Sequence, residues 1–176
     1  MGEVITFTSG KGGVGKTTTT ANVGAGLSLL DKKVVLVDTD IGLRNLDVVM
    51  GLENRILYNL VDVLSGRCRA KQAIIRDKRF PNLSVIPSSC TKEKILLDSD
   101  QMKHLLDDLR QEFDYILVDS PAGIDQGFLL AITGADRIVV VTTPQIAAIH
   151  DADCVLQILK THYTVKTELL INGFRK

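Results

Sequence analysis

The sequence predicts an α/β fold, a three-layer sandwich in which a mostly parallel sheet is flanked by helices, and three observations carry that expectation. Short β-branched apolar runs alternate with longer amphipathic segments. Several runs are apolar at both alternations, as suits strands covered on two faces. The chain has 176 residues, 45% of them hydrophobic and 24% charged, enough to bury a core without a disulfide or metal staple. The spacing places strands at 4–8, 34–37, 83–86, 115–118, 138–142 and 168–171, and helices at 16–30, 100–113 and 149–161. In the second helix Met102, Leu105, Leu106, Leu109 and Phe113 form one stripe, and in the third Val155, Leu156, Ile158 and Leu159 point inward. Strand, helix, strand in repetition makes successive strands parallel through right-handed crossovers. No linker, low-complexity tract or repeat interrupts the pattern, so residues 1–176 are expected to form a single domain.

Lys+Arg 21 against Asp+Glu 21 gives a formal net charge of zero, so no bulk positive charge draws the chain to nucleic acid and none is expected as a partner. Cys68, Cys90 and Cys154 are odd in number and widely separated, which excludes a disulfide framework or a zinc site and suits a reducing compartment. No apolar run reaches the roughly 18 to 20 residues of a membrane span. Met1-Gly2 with Thr6 fits a myristoylation template in form, but residues 3–8 read as a strand and leave no free arm. Arg67, Arg69, Lys71, Arg76, Lys78 and Arg79 make a basic stretch, read as a solvated face. The chain stops at Gly173-Phe174-Arg175-Lys176 directly after a strand, and a truncated chain is expected.

Gly10-Lys11-Gly12-Gly13-Val14-Gly15-Lys16-Thr17 satisfies G-x-x-x-x-G-K-[ST] between a strand and a helix, where that pattern's physics requires it. Glycines 10, 12, 13 and 15 let the backbone take positive φ and turn its N–H groups inward, while the helix beginning near Lys16 adds the positive end of its dipole. Lys16 is expected on the β- and γ-phosphates, the Thr17 hydroxyl on Mg²⁺, and Thr18 at the α-phosphate; Thr19 and Thr20 read as ordinary helix residues. Lys11 is not needed to hold phosphate within one chain. In a dimer with two nucleotides at its interface it would reach the partner's phosphates, as a cation supplied in trans.

Two carboxylates, Asp38 and Asp40, follow the strand 34–37 and point the same way; Asp119 ends the strand 115–118 ahead of a Gly-containing loop. The carboxyl edge of a parallel sheet is where such folds bind ligands. Asp119 is expected in the Mg²⁺ shell with Asp38 as a second partner, and Asp40 on the attacking water. Asn172 follows the last strand, where its amide can pair with adenine, so ATP is the expected nucleotide.

These residues resemble the MinD family of septum-site-determining ATPases, with the deviant Walker A loop that family shares with the plasmid-partition ATPases. Asp38-Thr39-Asp40-Ile41-Gly42-Leu43-Arg44-Asn45-Leu46-Asp47 is similar to the MinD switch I, and Asp119-Ser120-Pro121-Ala122-Gly123-Ile124 to its switch II. Thr142-Thr143-Pro144 and His150-Asp151-Ala152-Asp153 resemble the segment beyond, and the sequence is closest in tone to cyanobacterial and plastid members. The resemblance implies a P-loop NTPase fold and an ATP- and Mg²⁺-dependent ATPase that forms a homodimer in its ATP state, with Lys11 acting across the interface. It further implies a MinC-like division inhibitor and a MinE-like activator as partners, and a cytoplasmic or plastid-stromal protein peripheral to the inner membrane. In the family an amphipathic membrane-targeting helix follows this region, and residues 1–176 do not include it. Gly173 and His150 stand where the family usually has arginine. The rival readings are a ParA-type partition ATPase, which would carry a concentrated basic surface for DNA, and a reductase like the nitrogenase iron protein, which would need paired cysteines near Asp119.

Overall fold

The computed structural model describes residues 1–90 and 98–174. Arg175 and Lys176 of the terminal run lie outside the described residues. Along the chain run β1 (Glu3–Ser9), α1 (Lys16–Leu29), β2 (Val34–Asp38), α2 (Asn45–Met50), a 3-10 turn (Glu53–Arg55), α3 (Leu60–Leu64), α4 (Ala70–Ala73), β3 (Ile75–Arg76) and β4 (Leu83–Ile86). Then follow α5 (Ser99–Glu112), β5 (Tyr115–Ala122), α6 (Gln126–Ile132), β6 (Arg137–Thr142), α7 (Ile146–His162) and β7 (Lys166–Ile171). The strands form one sheet in the order β3-β4-β2-β5-β1-β6-β7. Every pairing is parallel except β3 with β4.

Both faces of strands β4, β2, β5, β1 and β6 are covered, which explains their near-continuous apolar runs, whereas the edge strand β7 has no buried residue. Ile5, Phe7, Leu36 and Leu117 pack with α1 and α2 on one side. Val4, Val35, Val37, Ile116 and Val118 pack with α3, α5 and α6 on the other, and Ile138 and Val140 meet α6 and α7 there. The α5 stripe is buried as expected, through Met102, Leu105, Leu106 and Leu109, with Phe113 partly so. In α7 the expectation needs correcting. That helix begins at Ile146, so Ala148 and Ala152 join Val155 and Leu159 on the buried line, and Leu156 and Ile158 are only half-buried.

Asp119 is expected just beyond its strand, but β5 continues through it to Ala122. The register between β1 and β5 shifts between Phe7 and Ser9, opposite Ser120 and Pro121, so the proline's missing N–H falls where the ladder is already interrupted. Gly2 is buried, and its N–H donates to the Arg110 carbonyl at 3.0 Å, so it is not a free arm. The basic stretch is partly spent on local ion pairs, Arg67 with Asp62 at 3.4 Å, Lys71 with Glu112 at 2.7 Å and Arg79 with Asp77 at 2.9 Å. Among the described residues no helix is long and apolar enough to cross a membrane.

Candidate functional site

Three strand ends meet the loop at the carboxyl edge of the sheet. β1 leads into residues 10–15, and Gly15 caps α1 with φ 88°, a left-handed backbone that a side chain would strain. Gly13 is also left-handed, whereas Gly10 and Gly12 are not, which corrects the expectation that all four take positive φ. Gly10 is required for another reason. A Cβ there would sit 2.3 Å from the Asp151 carbonyl oxygen, so its small size seats α7 against the loop. The cleft in front of the loop has a volume of about 650 Å³ and is lined by Gly12 to Thr18, with Asp40, Asn45, Leu43 and the end of β5 on its other walls. No acidic residue occupies the first turn of α1, so its N-terminal N–H groups and dipole face the cleft uncompensated.

Beside the cleft lies a cluster of buried charge. Asp38 and Asp119 are paired residues on adjacent strands, and both are fully buried. The Lys16 ammonium donates to Asp119 Oδ1 at 2.9 Å and lies 3.4 Å from Thr17 Oγ1. Thr20 Oγ1 is 3.1 Å from the same Oδ1. Asp119 Oδ2 is buried with no partner. Asp38 spends both oxygens on the loop that follows it, Oδ1 accepting from Asp40 N–H at 2.9 Å and Oδ2 from Leu46 N–H at 3.3 Å. Burial, and then the Asp119 charge, push the Asp38 carboxyl up to about 7.

Such an arrangement fits a hard cation brought in with phosphate. The orphaned Asp119 Oδ2 is a buried anionic oxygen without a donor, and the Lys16 ammonium already bridges the Thr17 hydroxyl and Asp119 as a cation would. Among the described residues no group of three or more His, Cys, Asp or Glu could hold a metal ion.

The expected site residues separate into two sets. Lys16, Thr17, Thr18, Asp40 and the backbone of residues 12–15 line the cleft, and Asp38, at the end of β2, and Asp119, within β5, lie buried beside it. Lys11 is exposed and does not line it. Asn172 donates its amide to the Val14 carbonyl at 2.8 Å and sits against Gly15, so in this structure it braces the loop. Sequence reasoning missed Thr20, which stands one turn beyond Lys16 on the same helix face, a relation the i, i+4 spacing contained. It also missed the pairing in the segment after β2, where Arg44, at φ 49°, donates from its Nε to the buried Asp47 carboxylate at 3.1 Å.

The AAA domain family model matches residues 2–171. The septum site-determining protein MinD of Bacillus subtilis is 54% identical over 99% of this chain, which spans 66% of that protein's length, just under two thirds. MinD of Aquifex aeolicus, solved in a MinC:MinD complex, is 43% identical with a TM-score of 0.89, the match covering 98% of this chain and 69% of that one. MinD of Pyrococcus horikoshii, solved with Mg-ADP, is 32% identical with a TM-score of 0.83 over 99% of this chain and 69% of that one. The layered parallel sheet is therefore the P-loop NTPase fold of these proteins. With 98–99% of the chain matched by these relatives, this chain belongs to the septum site-determining MinD family.

Proposed function

We propose that the chain is the nucleotide-binding part of an ATP-dependent switch that places the division septum, dimerising on ATP and hydrolysing it to ADP and phosphate. The observation that carries this reading is the divergence of two lysines on one loop. Lys16 is 7% exposed and tied to Asp119, while Lys11 is exposed and outside the cleft lining. A lysine that its own cleft does not use is available to a facing subunit.

In this reading the N–H groups of residues 12–15 and the α1 terminus hold the β- and γ-phosphates, Thr18 meets the α-phosphate, and Lys16 exchanges Asp119 for phosphate oxygen. Thr17, Asp119 and Asp38 hold Mg²⁺ or its waters, and the bound ion supplies charge compensation across the phosphates. Asp40, half-buried on the cleft wall, orients the attacking water. Asn172 steadies the loop and lies at the edge where adenine would stack. Lys11 from the partner compensates the charge that develops on the transferring phosphoryl group. Exposed Leu43 and Val48 on the cleft wall give the facing copy an apolar surface to cover. A MinC-like inhibitor belongs to the same proposal, supported by the solved MinC:MinD complex of a relative, and with it, by family resemblance alone, a MinE-like activator and a membrane-peripheral location in the cytoplasm or plastid stroma. Two weakly held membrane anchors in a dimer reside longer than one, so dimerisation can control location.

The test is sedimentation with ATP and Mg²⁺ against ADP. The reading expects a dimer only with ATP, and for Lys11→Ala slow turnover. A wild-type chain that stays monomeric with ATP contradicts it. Retention on duplex DNA at moderate salt, without retention on anionic vesicles, would favour the partition reading.

A further inference from the structure

We propose that Thr20 is a positioning residue for Asp119, the group that takes over the carboxylate when Lys16 leaves it for a nucleotide. Thr20 sits in the second turn of α1 and is fully buried. Its hydroxyl has one proton and two acceptors at equal range, the Lys16 carbonyl at 3.1 Å and Asp119 Oδ1 at 3.1 Å. It can donate to one at a time. In the free protein Asp119 Oδ1 already receives the Lys16 ammonium at 2.9 Å, so the threonine proton is free to serve its own helix.

Binding phosphate removes that arrangement. One ammonium cannot hold both the phosphates and a carboxylate with the same geometry, and Asp119 is fully buried with Oδ2 unpartnered. A buried carboxylate stripped of its donors has nothing to hold its rotamer, and a turn of the side chain withdraws it from the place where Mg²⁺ would bind. Rotation of the Thr20 hydroxyl by one staggered well redirects its O–H from the Lys16 carbonyl to Oδ1, which holds the carboxylate in its rotamer and leaves Oδ2 open. The exchange costs the helix little, because the Lys16 carbonyl keeps its place in the α1 ladder. Thr20 therefore acts through Asp119 and touches no substrate.

The inference rests on the nucleotide-site reading, and its test has one arm that needs no ligand. Thermal unfolding is compared for wild type, Thr20→Val, Lys16→Ala and the double variant. With Lys16 present the valine should shift Tm little; with Lys16 removed, Thr20 is the remaining donor and the same change should cost several-fold more, a clear departure from additivity. Additive shifts overturn the proposal. If the double variant does not fold, Thr20→Ser in the Lys16→Ala background must fold, since it keeps the hydroxyl, and its failure overturns the proposal as well. In the second arm a fluorescent ADP analogue is titrated with and without Mg²⁺. Thr20→Val should lose about tenfold of the Mg²⁺-dependent tightening, the worth of one hydrogen bond to a charged group, with unchanged Mg²⁺-free affinity, and Thr20→Ser should keep it. Wild-type Mg²⁺ dependence in the valine variant, or equal loss with and without the metal, overturns the assignment. Absence of nucleotide binding by wild type would instead sink the site reading and leave the unfolding cycle to judge Thr20.

Discussion

Charged groups are tied into both ends of the sheet, at the surface on one end and fully buried on the other, and the two clusters are finished differently. At the amino end Arg110 donates to the Gly2 carbonyl at 2.7 Å, to the Gly134 carbonyl at 2.8 Å and to Asp136, whose carboxylate also accepts the Val4 N–H at 2.8 Å. Burial alone would raise the Asp136 carboxyl, but the Arg110 and Val4 hydrogen bonds outweigh it and hold the group below its usual range. At the carboxyl end the one ammonium reaches Asp119 alone, the second oxygen of Asp119 has no donor, and Asp38, held only by backbone N–H groups, is pushed up to about 7. A completed cluster stabilises the fold. An incomplete one, buried at the edge where a parallel sheet takes ligands, is complete only with something bound.

The largest effect that could break this contrast belongs to Lys11, the cation outside both clusters. Lys11→Ala should lower ATP turnover by roughly 10³, the scale of a cation supplied in trans, while nucleotide affinity of the monomer stays within about threefold, as measured by single-turnover hydrolysis and by titration. Lys16→Ala should come next. Calorimetric titration should show nucleotide affinity falling by about 10², since a charge-assisted contact to phosphate and its helix-end setting are lost together.

The Asp38 shift supplies a pH test. Its folded-state value lies above its ordinary 3.8, so the folded protein prefers the protonated form. That stability is fully present below about pH 4 and is lost as pH rises through about 7, amounting to roughly 2–3 kcal/mol between pH 5 and 8. Urea unfolding of the free protein should show the loss, and Asp38→Asn should flatten it. Asp136 runs the other way. Its lowered value gives stability that is present above the ordinary carboxylate range and lost as pH falls below it. The smallest effect is Arg110→Ala, which should cost about 1–2 kcal/mol of folding stability and leave nucleotide affinity unchanged. A change in affinity there would erase the distinction between the two ends.

Much of this is legible in the residues alone. The strand 83–86 is found at the expected bounds, and 34–37 and 138–142 within one residue, because strands buried on two faces are written as unbroken apolar runs. The loop and its aspartates are legible because G-x-x-x-x-G-K-[ST] is a local pattern with a local cause. Short elements are not. Helices α2, α3, α4 and α6 have four to seven residues, fewer than two turns, and give no periodic stripe, although the Asn59 capping box with Asp62 marks α3 in the sequence. Two-residue β3 gives no strand signal at all. Partners distant in sequence are equally hidden. Nothing near Asn172 says that its amide will meet a carbonyl 158 residues away, and four successive threonines do not reveal which one faces Asp119.

The central claim is that the two lysines of the loop serve different subunits. The most direct measurement mixes two inactive variants, Lys11→Ala and Asp40→Asn, in equal amounts with ATP and Mg²⁺. If Lys11 acts in trans, each mixed dimer holds one site with its own Asp40 and its partner's Lys11, and about a quarter of wild-type turnover should return. Turnover that stays at the level of the separate variants, while the mixed dimer is seen to form, would place Lys11 in its own site and contradict the account.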